Sequence, residues 1–171
     1  FATAENAYSE AISRISTKQK KDIKLRNDLS EKMAASIYKQ GEIFKSKGEH
    51  QLAVYQFMRL GRVVPESTIR FSAEYDAATL YVQMKEWNKA VDILTGLQKS
   101  YPKKQAYKQG IVSKLALSYT QSGQFEKAAA QINILSSMSK NPEERRALIW
   151  ESAEMYEKAN YRKQAVRQYD L

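Results

Sequence analysis

Three groupings of side chains in this sequence have the types and spacing that chemistry requires. Glu151, Glu154 and Glu157 recur at three-residue intervals, with Glu143 and Glu144 shortly before them. On a helix that spacing places the three carboxylates on one face, where they could hold a hard cation or serve acid–base work. No turn glycine or further oxygen ligand accompanies them, so the stripe reads as solvated or partner-facing. His50, the single histidine, follows Gly48 by two residues, and Trp87 and Phe125 stand at the matching places further along. That series makes His50 a packing or solvent-facing residue rather than a catalytic base. The third grouping is basic. Lys99, Lys103, Lys104, Lys108 and Lys114 fall in a stretch from Asp92 to Glu126 with no acid between, and Arg14, Lys18, Lys20, Lys21, Lys24 and Arg26 stand against Asp22 alone. Such clusters attract nucleic acid, anionic lipid or acidic protein. Tyr101 and Tyr107 flank the first cluster, but tyrosine is common all along the chain. The plain reading is therefore solvated faces, with an acidic protein partner next and nucleic acid last.

Composition closes off most of the remaining chemistry. The chain has 171 residues, 28 basic and 19 acidic, for a formal net charge of +9, with no cysteine, six glycines and three prolines. Absence of Cys removes disulfide frameworks, zinc–thiolate sites and thiol nucleophiles, and one His excludes any site needing two imidazoles. No phosphate-cradling glycine loop and no nucleophile elbow is present. The expectation is no enzyme activity, no cofactor and no metal. No apolar run reaches the ~18 residues of a membrane span. The chain opens at Phe1 without a basic-then-apolar leader, so any targeting signal is expected to have been removed or never included.

The elements that position these groups are helical. Apolar and small residues recur three and four apart, as in Ile37, Gly41 and Phe44 and then Ala53, Phe57 and Leu60, and strict alternation is lacking. Lys47-Gly48-Glu49 breaks the two runs, because glycine takes the left-handed conformation that ends a helix, and Pro65 ends the second. The unit is an antiparallel helix pair. Its intervals return at Ala78, Tyr81, Ala90, Leu94, Leu97 and Pro102; at Ala116, Tyr119, Ala128, Ile132 and Leu135; and at Ala153, Tyr156, Ala165 and Tyr169. In the third copy Lys140 stands where proline is expected and Pro142 comes two residues late. Gly41, Ala78, Ala116 and Ala153 are 37, 38 and 37 residues apart. These small residues permit close helix approach, faced by Ala53, Ala90, Ala128 and Ala165, and stacking of units supplies the core. Lys85 occupies the turn position held elsewhere by Gly48, Gly123 and Asn160, which predicts a different geometry for that turn.

This small–aromatic–Ala–aromatic–Pro pattern resembles the tetratricopeptide repeat family over nearly the whole chain except about residues 16–33. The extra three or four residues beyond the usual ~34 add one helical turn per unit. The lengthened units are more weakly similar to repeats of bacterial envelope assembly proteins. The resemblance implies an all-α fold, a right-handed superhelical α-solenoid of about nine helices. It further implies a concave groove lined by the first helix of each pair. Here Tyr38, Tyr75, Ser113 and Trp150, with Glu42, Thr79, Leu117 and Glu154, fall on the face expected to turn away from the second helix. Family members that clamp a terminal carboxylate use Lys and Asn there, so that mode is not expected.

The expected organisation is a single array over 1–171, cut from a longer protein. A half repeat covers 1–15, then a linker and the start of a lengthened helix, capped at Asp22 or Asp28, cover 16–33. Repeats follow at 34–70, 71–108 and 109–145, with an incomplete one at 146–171 that lacks a polar capping helix at Tyr169-Asp170-Leu171. The functional expectation is a scaffold binding a protein or peptide in the groove, within a bacterial envelope assembly. The alternatives are an architectural spacer, or a basic surface docking an acidic partner. Compartment is not fixed by these residues; periplasm or envelope is favoured over cytoplasm.

Overall fold

The structure, a computed structural model, describes residues 1–16 and 19–170. Lys18 of the second basic cluster and the final Leu171 therefore lie outside the described residues. Among the described residues every regular element is α-helical: α1 (Ala2–Arg14), α2 (Lys20–Ser46), α3 (His50–Val63), α4 (Arg70–Gln83), α5 (Trp87–Ser100), α6 (Gln105–Gln121), α7 (Phe125–Met138), α8 (Pro142–Lys158) and α9 (Arg162–Tyr169). They gather into two compact units, Phe1–Leu80 and Tyr81 onward.

In the first unit α2 packs against both α1 and α3. Ile37, Phe57 and Leu60 are fully buried between them, and Gly41 lets the Phe57 ring lie directly on the α2 backbone. A Cβ at Gly41 would stand 2.5 Å from Phe57 Cε1 and 2.7 Å from Cδ1. The small residue of the repeat thus makes room for the aromatic four residues after Ala53. Helix α2 begins at Lys20 with Gln19 as N-cap, and no side chain caps it. Neither Asp22 nor Asp28 is a cap, contrary to expectation; Lys20 and Lys21 ahead of them are already helical. Asp22 sits instead in the first turn, where a carboxylate favours the positive end of the helix dipole.

In the second unit consecutive helices from α5 to α9 pack side by side, burying Leu94, Leu115 and Ile132 completely. Ser152 is also fully buried and donates to the Ala129 carbonyl, tying α8 to α7 at 3.2 Å. Pro142 is the first residue of α8, where its missing N–H costs nothing. Asn141 caps that helix through Oδ1, which accepts from the Glu143 N–H at 2.8 Å.

The four turns within the helix pairs are the same. Gly48, Lys85, Gly123 and Asn160 have φ of 77°, 59°, 73° and 63°. In each, the following residue's N–H returns to the carbonyl five residues back: Glu49 to Phe44, Glu86 to Tyr81, Gln124 to Tyr119 and Tyr161 to Tyr156, at 2.8–2.9 Å. This is the Schellman closure of a helix end. The expected difference at Lys85 is thus absent, because the two closing bonds come from the backbone and hold any residue in the left-handed region. The cost stays with the side chain, about 1–2 kcal/mol for an L residue against roughly 0.5–1 kcal/mol of extra backbone entropy for glycine. Lys85→Gly should therefore raise stability by about 0.5–1 kcal/mol, read as a higher thermal midpoint, while Lys85→Ala should leave it nearly unchanged. Equal melting of the glycine and alanine variants would contradict this account.

Candidate functional site

The eight candidate contact residues divide by unit and differ in how far they are already engaged. In the first unit all four are half-buried. The Tyr38 ring lies 5.2 Å from that of Phe57. Its hydroxyl donates to Asp76 Oδ2, whose other oxygen lies 3.3 Å from Lys45 Nζ. Tyr75 stacks on Phe71 with centroids 6.2 Å apart and planes 9° from parallel. Glu42 pairs with Lys39, and the Thr79 hydroxyl donates to the Tyr75 carbonyl one turn back at 2.9 Å. These side chains hold α2, α3 and α4 together as much as they face outward.

The second unit presents its set openly. Ser113 and Leu117 lie one turn apart on α6, both exposed. Trp150 and Glu154 lie one turn apart on α8, joined by the indole N–H donating to Glu154 Oε1 at 3.2 Å. Trp150 is 59% exposed and Leu117 44%. The indole meets the Tyr169 ring of α9 edge-on at 4.6 Å. Arg146, Ile149, Trp150, Gln168 and Tyr169 line a notch of about 180 Å³. Tyr38 and Trp150 thus both touch the second helix of their pair, contrary to the expectation that this face turns wholly away. The reason is shared: Phe57 and Tyr169 occupy equivalent repeat positions, and an aromatic at the first site reaches the aromatic at the second.

The acidic stripe of α8 is not gathered into a cluster. Glu154 is taken by Trp150, and among the described residues no group of three or more His, Cys, Asp or Glu is placed to hold a metal ion. His50 opens α3, half-buried. Among the described residues no helix is long and apolar enough to cross a membrane.

Two polar clusters were not anticipated. Glu5 of α1 is only 7% exposed. Both its oxygens accept from the Arg59 guanidinium of α3, Oε2 from Nη1 at 3.0 Å and Oε1 from Nη2. Gln40 Nε2 of α2 adds a third bond at 2.8 Å. Arg59's hydrogen bonds hold the Glu5 carboxyl below its ordinary pKa, and Gln40 assists, while burial opposes them. A signal did exist, since Glu5 interrupts the stripe of Ala4, Tyr8, Ala11 and Ile12 that faces inward. The second cluster ties α2 to the entry of α4. Glu31 accepts from the Ser67 hydroxyl at 3.0 Å, the Thr68 N–H at 2.9 Å and the Thr68 hydroxyl at 3.1 Å. It supplies from another helix the oxygen that a local cap would provide.

Comparison with known proteins bears on the fold directly. The tetratricopeptide repeat family model matches residues 72–104, the pair α4 and α5. No curated protein matches the chain. Among solved structures, MamA 41-end from Desulfovibrio magneticus RS-1 is similar at 17% identity and a TM-score of 0.57, covering 98% of this chain and 92% of that one. A second MamA structure is similar at 16% identity and a TM-score of 0.58, over 99% of this chain and 90% of that one. The nearly identical TPR-like repeats of a putative kinesin light chain from Podosopora anserina are similar at 16% identity and a TM-score of 0.53, over 98% and 81% of the two chains. At these identities the likeness establishes the fold, a helical solenoid of the tetratricopeptide type. Residues 72–104 match the tetratricopeptide repeat family, and the chain as a whole shares the fold of these helical-repeat structures.

Proposed function

We propose that the chain is a non-enzymatic scaffold for protein–protein interaction, built as one array with repeats at 34–70, 71–108, 109–145 and 146–171. Its partner is an extended or helical protein segment held on the first helices of the pairs. The observation that carries this reading is the open placement of Trp150 and Leu117. A large indole and a leucine more than two-fifths exposed are the anchors a partner would bury. Ser113 and Glu154 lie beside them on α6 and α8, and Tyr38, Glu42, Tyr75 and Thr79 are the matching positions of the first unit. A setting in a bacterial envelope assembly belongs to the same proposal; it rests on the lengthened repeats.

Affinity capture with the chain as bait tests it. Trp150→Ala should weaken retention of the captured segment at least tenfold, since burying a hot-spot aromatic is worth about 2 kcal/mol and ~1.4 kcal/mol is a factor of ten. The fold should persist, because the side chain is 59% exposed and its contact with Tyr169 and hydrogen bond to Glu154 lie at the surface. Charge reversal at Lys103 and Lys104 is the control. It should change association rate and salt dependence and leave a segment bound at Trp150 attached. Retention unchanged in Trp150→Ala but lost in the lysine reversal would refute the assignment of Trp150.

A further inference from the structure

The elbow between α5 and α6 carries a second surface of distinct chemistry. Gln98, Tyr101, Pro102, Lys104, Lys108 and Ile111 line a cleft of about 250 Å³. Its apolar part is Pro102 and the nearly buried Ile111. Lys104 and Lys108 are among its lining residues, and Lys99 and Lys103 lie close to them in the sequence. Among the described residues Lys99, Lys103 and Lys108 form no ion pair, and residues 93–125 contain five lysines and no acid. Helix α6 also begins here without an acidic residue in its first turn and without a side-chain cap, so its positive end adds to the lysine field.

We infer that this elbow binds an acidic peptide segment of a partner protein, one apolar side chain seated against Pro102 and Ile111 and flanking carboxylates held by Lys104 and Lys108. The cleft's size selects a side chain. Nucleic acid would need bases stacked on open rings along a basic track, and Tyr101 and Tyr107 are half-buried. A bilayer would need several large exposed apolar groups, and among the described residues of the basic stretch 93–125 Leu117 alone is one. Lysine suits the occupant, since an ammonium meets a carboxylate from many directions without demanding a fork geometry. This surface extends the scaffold reading and is separate from Trp150.

The probe is a fluorescent peptide, Glu-Glu-Leu-Asp-Glu-Glu, followed by anisotropy against the full chain. Lys104→Glu/Lys108→Glu should weaken it at least tenfold, about 1.4 kcal/mol. Lys108→Glu alone should weaken it measurably, and carboxylates at a helix N-terminus favour the fold. Arg162→Glu/Lys163→Glu on α9 makes the same change in net charge and should leave binding intact. Replacing the peptide leucine by serine should weaken binding several-fold. Trp150→Ala should have no effect, which separates this surface from the first. The inference is overturned if oligothymidylate of equal charge binds as tightly, if the α9 reversal matches the elbow reversal, or if the serine peptide binds like the leucine one.

Discussion

Arg59→Met should cost about 2–3 kcal/mol, as a lowered denaturation midpoint. Removing one member of a buried ion pair leaves the other charge unpaired and typically costs 3–5 kcal/mol, while hydrogen bonds to charged groups are each worth about 1.5–3 kcal/mol. Arg59 keeps 28% of its side chain exposed while Glu5 keeps 10%, so water compensates part of the loss and the lower range applies. Methionine preserves the packing of the stem, which confines the change to the guanidinium. Glu5→Gln/Arg59→Met should then recover much of the loss, because no buried charge is stranded. A double mutant as unstable as the sum of the singles would mean that the pair is not coupled.

The same pair sets a pH dependence. The ordinary carboxyl value is 4.5, and in the folded chain that of Glu5 lies below it. A depressed folded value means that the stabilisation is fully present above about 4.5 and is lost as pH falls through the lower folded value. Wild type should therefore lose more stability on acidification below 4.5 than Glu5→Gln, and the two should run parallel above it.

What could be read from the sequence follows from periodicity, and what escaped it follows from long-range pairing. The intervals from Gly41 to Phe57 and their returns specify helix pairs, since a repeating stripe has one economical way to bury itself. The turn at Lys85 was misread because residue identity is a weaker signal than the bonding pattern that encloses it. Glu5 and Arg59 are 54 positions apart, and nothing local says that their charges meet. The engagement of Tyr38 with Asp76, one repeat on, escaped for the same cause.

Gly41→Ala and Gly96→Ala should move stability in opposite directions. Both glycines are helical, and in a helix interior alanine is better by about 0.8–1.0 kcal/mol. At Gly96, on the exposed side of α5, nothing lies within 4 Å of a new Cβ, so the full gain of about 1 kcal/mol should appear. At Gly41 the new methyl meets the Phe57 ring at 2.5 Å, 2.7 Å and 3.0 Å. That ring is fully buried and is backed by Tyr38 at 5.2 Å, so it cannot swing aside without breaking a second contact. Overpacking of this kind costs about 1–3 kcal/mol, and after the helical gain the net loss should be up to about 2 kcal/mol. Ala128→Leu, at a fully buried position of α7, should lose a similar 1–3 kcal/mol or so by the same mechanism. Denaturant melts of the three variants decide the matter. A Gly41→Ala chain as stable as Gly96→Ala would show that the close approach of α2 and α3 does not depend on the missing Cβ, and the small residue of the repeat would then need another explanation.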